Sequence, residues 1–281
     1  MMIPMKIKAS FLYTRLPGFL FLFFSATSAY AHISSTSCAD SKTPIPGCIT
    51  TIAPSTVGNT GLEVNFYAGA SQNSTSNTSG IVFSPFETDT ITKANKKSSS
   101  FVPGVGITYN YAFPREDYYI HAVSVGLNYY HTGASRDGQV YQYGFPQFNN
   151  YTYKMNISSN RVMLDGEVDL HPLWNCLTIF GEAGVGGALN NMSYNEQSVL
   201  GNGGALNLGG NTHLAFASEF GGGVKMPVNQ KSEVSVRYLY ANLGKAESNT
   251  ASDSGASELT QPISTDLTSQ SILVGYAYHL G

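Results

Sequence analysis

From residue 60 onward, hydrophobic and polar side chains alternate with a period of two, which is typical of β-strands with two unlike faces. The segment 160–170 has the clearest alternation. One of its faces carries Val162, Leu164, Gly166, Val168 and Leu170, and the other carries Arg161, Met163, Asp165, Glu167 and Asp169. Four charges on one face and none on the other suit a strand between lipid and a polar interior, but not a strand that is buried on both sides.

Seven further segments alternate in the same way, so the sequence predicts eight strands. In chain order the strands are 62–70, 101–113, 118–130, 160–170, 177–189, 213–226, 233–243 and 271–280. Short turns alternate with long connections rich in Ser, Asn, Thr and Gly; the short turns are 114–117, 171–175 and 227–231. This alternation predicts an all-β fold over residues 60–281: a closed antiparallel eight-stranded transmembrane β-barrel with long extracellular loops and short periplasmic turns. A soluble β-sandwich or jelly roll is the alternative, but it has no reason to segregate its loops by length.

Three motifs carry a family resemblance: Gly181-Glu-Ala-Gly-Val-Gly-Gly187, Val236-Arg-Tyr-Leu-Tyr240 and Ile272-Leu-Val-Gly-Tyr-Ala-Tyr278. Through them the chain resembles the eight-stranded outer-membrane β-barrel proteins, namely the OmpA-like transmembrane domain and the opacity-type surface proteins. The resemblance covers residues 60–281. It implies the outer membrane of a Gram-negative bacterium, contact with membrane lipid and lipopolysaccharide, and insertion by the barrel-assembly machinery. The motifs describe barrel construction and imply no particular activity.

The first 31 residues have the pattern of a signal peptide. Basic residues (Lys6, Lys8 and Arg15) precede an apolar stretch at 16–24, and Ala29-x-Ala31 has the small residues of a cleavage site. The mature chain is therefore expected to begin at His32. A short transmembrane anchor is the alternative, but the apolar stretch is too short to cross a bilayer.

Residues 32–59 form an expected periplasmic segment that contains two nearby cysteines. In an oxidising compartment Cys38 and Cys48 would pair as a disulfide, which leaves Cys176 without a partner. A zinc site is the alternative, but no His lies at ligand spacing from this pair. The sequence therefore predicts a disulfide and no metal site.

The composition narrows the class of protein further. Only 12% of the residues are charged, the formal net charge is −3, and the mean hydropathy is −0.09. Such a charged fraction is unusual for a cytosolic enzyme, and no apolar run is long enough for a transmembrane helix. Every acidic residue lies beyond residue 31, so the mature chain is more acidic still and binding of nucleic acid is not expected.

The polar faces of the eight strands predict a charged barrel interior. Its expected members are Arg161, Asp165, Glu167, Asp169, Glu182, Glu219 and Arg237, together with Glu63, Lys225 and Glu233. An eight-stranded barrel is just wide enough to be filled by side chains, so these groups are expected to close the interior as a charge network. We expect Arg237 to bridge Glu182 and Glu219 through its several donors. The alternative is a gated, narrow path that prefers cations.

The candidate surface contact lies in the long connection 132–157, which is rich in aromatic residues. The candidates are Tyr141, Tyr143, Phe145, Phe148 and Tyr151. One interpretation is a strand pair that extends above the membrane, with its rings packed on each other or at the lipid headgroups. The other is a contact patch for a host molecule or for another envelope protein.

No catalytic constellation accompanies these features. Asp169-Leu-His171 resembles part of an omptin-like protease dyad, but it falls at a periplasmic turn, whereas omptin-like catalysis lies at the extracellular rim. We therefore expect a non-enzymatic barrel without a cofactor, whose loops carry a structural and surface-interaction role. A narrow channel or porin-like transporter for small solutes is the alternative function.

Overall fold

The computed structural model describes residues 60–84, 87–92, 97–113, 119–170, 173, 177–201, 205–253 and 258–280. The expected signal peptide, the segment 32–59 with Cys38 and Cys48, Cys176 and the turn 114–117 lie outside these ranges. No helix within the described ranges is long and apolar enough to cross a membrane.

Within those ranges the chain is almost entirely β-structure. Its strands are β1 (Gly61–Ser76), β2 (Ile81–Ser84), β3 (Glu87–Ile91), β4 (Ser98–Ala112), β5 (Ile120–Tyr141), β6 (Tyr151–Leu170), β7 (Thr178–Ser198), β8 (Asn207–Asn229), β9 (Ser232–Glu247) and β10 (Ser264–His279). All strands except β2 and β3 form one antiparallel ring in the order β5-β4-β1-β10-β9-β8-β7-β6, which β6 closes by pairing with β5. The predicted eight-stranded antiparallel barrel is confirmed.

A belt of exposed apolar side chains surrounds one part of the ring. We call it the lipid-facing belt; among its members are Leu62, Phe66, Val105, Ile107, Val125, Leu127, Leu164, Val185, Phe220, Val236 and Val274. An apolar surface that extends around a whole barrel is unfavourable in water, but it is the required surface against hydrocarbon. The belt therefore marks the membrane-spanning part of the barrel.

The two faces of β6 exchange polarity above this belt. In the membrane-spanning part of β6, Arg161 and Asp165 point inward and are buried, while Leu164 points outward. Towards the extracellular end, the inward positions are apolar and buried: Tyr153, Met155 and Ile157. The outward positions there are polar and exposed: Thr152, Lys154 and Asn156. The polarity of the two faces changes because the medium outside the barrel changes from lipid to water along the strand.

The strands consequently extend beyond the ends that the sequence predicted. The aromatic connection 132–157 is largely a hairpin, because β5 continues to Tyr141 and β6 begins at Tyr151. Of the two interpretations of this segment, the extended strand pair is therefore present. The sequence placed the strand ends too early because the apolar positions change faces at the membrane surface, which breaks the simple alternation.

Above the ends of β1 and β4, the short β2–β3 hairpin completes the ring. β3 pairs with β5 through Thr90↔Tyr141 and Ile91↔Val140, and the Thr260 N–H donates to the Val82 carbonyl at 2.9 Å. The interior at this level is mainly apolar, and we call its apolar side chains the extracellular core. Its buried members include Ile81, Val140, Tyr153, Met155, Ile157, Met192, Tyr194, Leu206, Leu208, Leu243, Leu259, Ile263 and Leu267.

Candidate functional site

The interior of the membrane-spanning part contains the charged residues that the sequence singled out. Arg161 is fully buried, and its Nε lies 3.0 Å from Glu219 Oε2. Asn128 Nδ2 donates to Asp165 Oδ2 at 2.7 Å on the neighbouring strand. Arg161 reaches across β7 to β8 because the inward positions of β7 that it passes, Gly186 and Ala188, carry almost no side chain.

Arg237 occupies the second centre of this network. Its Nη1 lies 2.6 Å from Glu182 Oε2, and its Nη2 lies 3.6 Å from Glu167 Oε2. Arg237 thus bridges two carboxylates, but the second is Glu167, whereas the sequence argument named Glu219. The register explains the difference, because Glu167 and Glu182 are direct cross-strand neighbours, while Glu219 already pairs with Arg161.

Lys225 is the third cation of the interior, nearer the periplasmic end. Its Nζ lies 2.8 Å from Glu167, 2.6 Å from Asp169 and 3.8 Å from Glu233. His279 Nδ1 lies 3.1 Å from Glu63 at the same end. One ammonium among three carboxylates holds strands β6, β8 and β9 together across the interior.

Aromatic rings pack against both arginines. The guanidinium carbon of Arg161 lies 4.5 Å from the centre of the Tyr130 ring, and that of Arg237 lies 4.6 Å from Tyr67 and 5.0 Å from Phe180. Cation–π contacts of this kind are strongest where water is excluded. Rings, guanidinium groups and carboxylates thus occupy the interior together.

A layer of hydroxyl groups separates the charge network from the extracellular core. Ser100 Oγ lies 2.9 Å from both Ser71 Oγ and Thr132 Oγ1, and Asn73 Nδ2 donates to the Gly133 carbonyl at 2.6 Å. The described interior is therefore filled by three successive layers: charged, hydroxyl-bearing and apolar. Filling of this kind agrees with the dimensions of an eight-stranded barrel.

The sequence-predicted surface contact residues divide into three groups. Tyr143, Phe145 and Phe148 lie together at the tip of the β5–β6 hairpin, with ring centres 6.3 Å apart for Tyr143–Phe148 and 6.2 Å apart for Phe145–Phe148. We call these three residues the tip cluster. Tyr141 lies below them on the outward face, and Tyr151 packs against the extracellular core. Only the tip cluster is strongly exposed.

The backbone of the tip is held in an unusual conformation. Tyr143 has a φ of 54°, in the left-handed region that non-glycine residues rarely adopt, and Gly144 follows with a φ of 73°. The Tyr143 N–H donates to Asp89 Oδ1 on β3 at 2.9 Å. The tip is thus fixed from below by the β2–β3 hairpin. Sequence patterns did not single out Asp89, because its role depends on a contact between distant segments.

Two carboxyl groups of the extracellular part lie near one another: Asp89 is buried and Glu196 is half-buried. Glu196 Oε1 accepts the Tyr194 hydroxyl at 2.9 Å, and Oε2 accepts the Leu206 N–H at 3.4 Å. Burial raises the pKa of Glu196 to about 7, which the two hydrogen bonds only partly oppose, and burial also raises the pKa of Asp89. Glu196 was also missed by the sequence analysis.

The described residues provide no arrangement for metal binding: no cluster of three His, Cys, Asp or Glu side chains there is suited to hold an ion. The carboxylates of the interior are instead engaged with Arg161, Lys225 and Arg237. Asp169 lies inside the barrel beside Lys225, towards the periplasmic end, and not at the extracellular rim.

Comparison with known proteins gave similarity only to solved structures; no family model and no curated protein matches the chain. Neisserial surface protein A is 11% identical, with a TM-score of 0.39 over 78% of this chain and 97% of that chain. OprG from Pseudomonas aeruginosa is 14% identical, with a TM-score of 0.41 over 79% and 98%. The outer-membrane protease OmpT from Escherichia coli is 8% identical, with a TM-score of 0.44 over 78% and 96%.

The fold is that of an outer-membrane β-barrel. The closed ring and the lipid-facing belt of this chain carry that conclusion. Similarity at the identities given above concerns the fold, so it assigns neither an activity nor a partner to this barrel.

Proposed function

We propose that this barrel is a non-enzymatic protein of the Gram-negative outer membrane, and that the tip cluster is its surface-interaction site. The proposal rests mainly on the exposure of three adjacent aromatic side chains to water: Tyr143 is 55% exposed, Phe145 is 52% and Phe148 is 43%. Exposed aromatic residues at a prominent position are characteristic of protein contact sites. An adhesion-like role follows if the partner is a host molecule, and an envelope role follows if it is a bacterial protein.

The strands and the Asp89 contact below the tip cluster hold it in place, so the tip cluster would bind a partner as a rigid surface. Below the tip cluster, β6 is paired with both β5 and β7, and the rings of Tyr153 and Tyr194 stack inside the barrel with their centres 5.6 Å apart. The Asp89 carboxylate holds the Tyr143 backbone from the opposite side. A site that is already ordered loses little conformational entropy on binding, so a small apolar cluster can contribute useful affinity.

A narrow channel is the competing proposal, and the filled interior argues against it. Arg161, Arg237 and the rings of Tyr67, Tyr130 and Phe180 occupy the cross-section of the membrane-spanning part. The extracellular core lies above them. Planar-bilayer recordings separate the two proposals, because steady conductance by the wild-type protein would favour transport and would contradict a purely surface role.

The tip is tested by replacing its rings in cells that display the protein. We expect the triple variant Tyr143→Ser, Phe145→Ser, Phe148→Ser to reduce adhesion to host cells, or to envelopes of its own species, by about tenfold, which corresponds to about 1.4 kcal/mol. Gln147→Ala is the matched control, since Gln147 lies on the same tip and is exposed but has no ring. Unchanged adhesion of a correctly folded triple variant would contradict the proposal.

A further inference from the structure

A cleft lined mainly by residues with polar groups opens on the outward face of the extracellular strands, where β5, β6 and β7 lie side by side. Its volume is about 650 Å³, within the range of about 300–1,000 Å³ that is usual for small-molecule sites. Two rows of cross-strand neighbours line it, namely Asp137, Lys154 and Asn195 in the lower row and Gln139, Thr152 and Gln197 in the upper row.

The six outward side chains provide a mixed set of hydrogen-bonding groups without net charge. They comprise one carboxylate, one ammonium, one hydroxyl and three amides, so donors and acceptors are interleaved. Asp137 and Lys154 face each other across the strands, yet no ion pair joins these two described side chains. Both side chains are exposed, so their charged groups are accessible to solvent.

The floor of the cleft is ordered by contacts on the inward side. Tyr153 contributes to the floor, stacks on Tyr194, and donates its hydroxyl to the Thr92 carbonyl at 3.0 Å. The Gln139 N–H donates to Thr92 Oγ1 at 2.9 Å. These contacts fix the backbone around Gln139 and Tyr153, which position the upper row of side chains. The cleft is therefore largely formed before a ligand binds.

The aromatic ring of Tyr141 lies next to the upper row of the cleft. Tyr141 follows Gln139 on the same outward face, and its hydroxyl lies 3.5 Å from Gln139 Oε1. A ring beside many hydrogen-bonding groups matches the two-sided chemistry of a sugar, whose hydroxyls both donate and accept hydrogen bonds and whose C–H groups form an apolar face. A phosphate or sulfate fits less well, because Asp137 stands opposite the single lysine of the cleft.

We propose that this cleft binds an uncharged saccharide, whose hydroxyls bond to the amides of the two rows and whose ring packs on Tyr141. The inference rests on the proposed surface role and gives it a chemical class of ligand. The ligand would bind on the flank of the hairpin, below the tip cluster, so the two regions can be disabled separately.

Binding is measured on the refolded full-length mature protein in a detergent without a sugar headgroup, since maltosides and glucosides would compete. An array of neutral and sulfated oligosaccharides is the probe, followed by titration calorimetry with the neutral glycan that binds best. We expect saturable binding that changes little when the NaCl concentration is raised tenfold. Absence of binding to every neutral glycan, or binding of sulfated glycans only, overturns the inference.

Variants localise the binding to the cleft. We expect the pair Gln139→Leu, Gln197→Leu to weaken binding about tenfold, because each loses an amide without losing much volume. Asn156→Leu is the matched control, since Asn156 lies on the same outward face below the lower row. Tyr141→Ser should weaken binding, and Tyr141→Phe should preserve it. Equal affinity of the double variant and the wild type contradicts the assignment.

The outcomes for the cleft and for the tip are distinguishable. If the tip variant loses adhesion while no neutral glycan binds, the surface role stands and the saccharide inference falls. If a neutral glycan binds in the cleft but neither set of variants alters adhesion, the proposed surface role falls and the cleft remains a saccharide site.

Discussion

The membrane-spanning and extracellular parts of this barrel are built from the same strands with opposite polarity. On β6, Arg161 and Asp165 point inward below the membrane surface, and Met155 and Ile157 point inward above it. The backbone hydrogen bonding is continuous along the strand, since β6 remains paired with β5 and β7 over nearly its whole length. The difference therefore lies in the side chains and in the medium outside the barrel.

This contrast indicates what stabilises each part. In the extracellular part, water outside the barrel drives apolar side chains inward, as in a soluble protein. In the membrane-spanning part the lipid is itself apolar, so burial of an apolar side chain inside the barrel gains little. Paired charges and hydrogen bonds then determine how the interior is filled. Variants should therefore have different effects in the two parts.

The largest effect is expected from Arg161→Met in the charge network. The substitution preserves much of the volume but leaves the Glu219 carboxylate buried without its cation, since the two side chains are 0% and 2% exposed. Removing one partner of a buried pair lowers the free energy of unfolding by about 3–5 kcal/mol. Urea unfolding in lipid vesicles, followed by the migration of unheated samples on gels, measures the change.

The double variant Arg161→Met, Glu219→Gln is the control for this pair. Because it removes both charges, it should recover a large part of the stability that the single variant loses. A single variant that unfolds at the same urea concentration as the wild type would show that the interior charges are not the main stabilising contacts of the membrane-spanning part.

A smaller and more local effect is expected from Met192→Ala in the extracellular core. Met192 is fully buried, and truncation of a buried methionine to alanine costs about 2–5 kcal/mol. The cost should appear in the extracellular part alone, as faster amide hydrogen exchange in the upper halves of β6 and β7. Exchange in the segment 161–170 should stay unchanged.

The half-buried neighbour Asn191 provides the matched control for this substitution. Asn191→Ala removes a hydrogen bond to Thr212 at the surface and creates no cavity, so it should affect exchange far less than Met192→Ala. Uniformly faster amide hydrogen exchange along the whole of β6 and β7 in the Met192 variant would mean that the two parts unfold as one unit. The two parts would then not be stabilised independently.

The sequence predicted the membrane-spanning part far better than the extracellular part, and the polarity exchange explains why. Between residues 160 and 170 every apolar outward position has the same parity, so the strand and its faces follow from alternation alone. Tyr153, Met155 and Ile157 have the opposite parity, so the same rule assigned their segment to a connection. A search for alternation that changes parity once could have found the extracellular strands.

The network contacts were predictable only in part. Alternation identifies which charges face the interior, but the partner of each depends on the register and on which intervening side chains are small. Gly221 and Gly223 on β8 leave space for Arg237 to extend towards Glu182 on β7. A closed ring places three or more strands in contact with one guanidinium group, and a single sequence does not reveal that geometry.

The smallest effect is expected from pH, and it concerns Glu196 in the extracellular part. Its pKa is raised to about 7, from 4.5 in the unfolded chain, so between these values the folded state binds more protons than the unfolded state. The stability of the extracellular part should therefore rise as the pH falls from about 8 to about 5. The stabilising contribution of protonated Glu196 should be lost as the pH rises through 7. Hydrogen exchange around β7, corrected for the intrinsic rate at each pH, measures this dependence.

Glu196→Gln isolates the contribution of this carboxyl group. The amide can still accept the Tyr194 hydroxyl through its oxygen but does not titrate, so the variant should show a much flatter pH dependence and resemble the wild type at low pH. The titratable groups that act on the Glu196 carboxyl are the Tyr194 hydroxyl and the Asp89 carboxyl, and of these two only Asp89 titrates in the acidic range. Asp89→Asn should therefore remove the remaining slope. An unaltered pH dependence in both variants would place the titrating group outside the extracellular core.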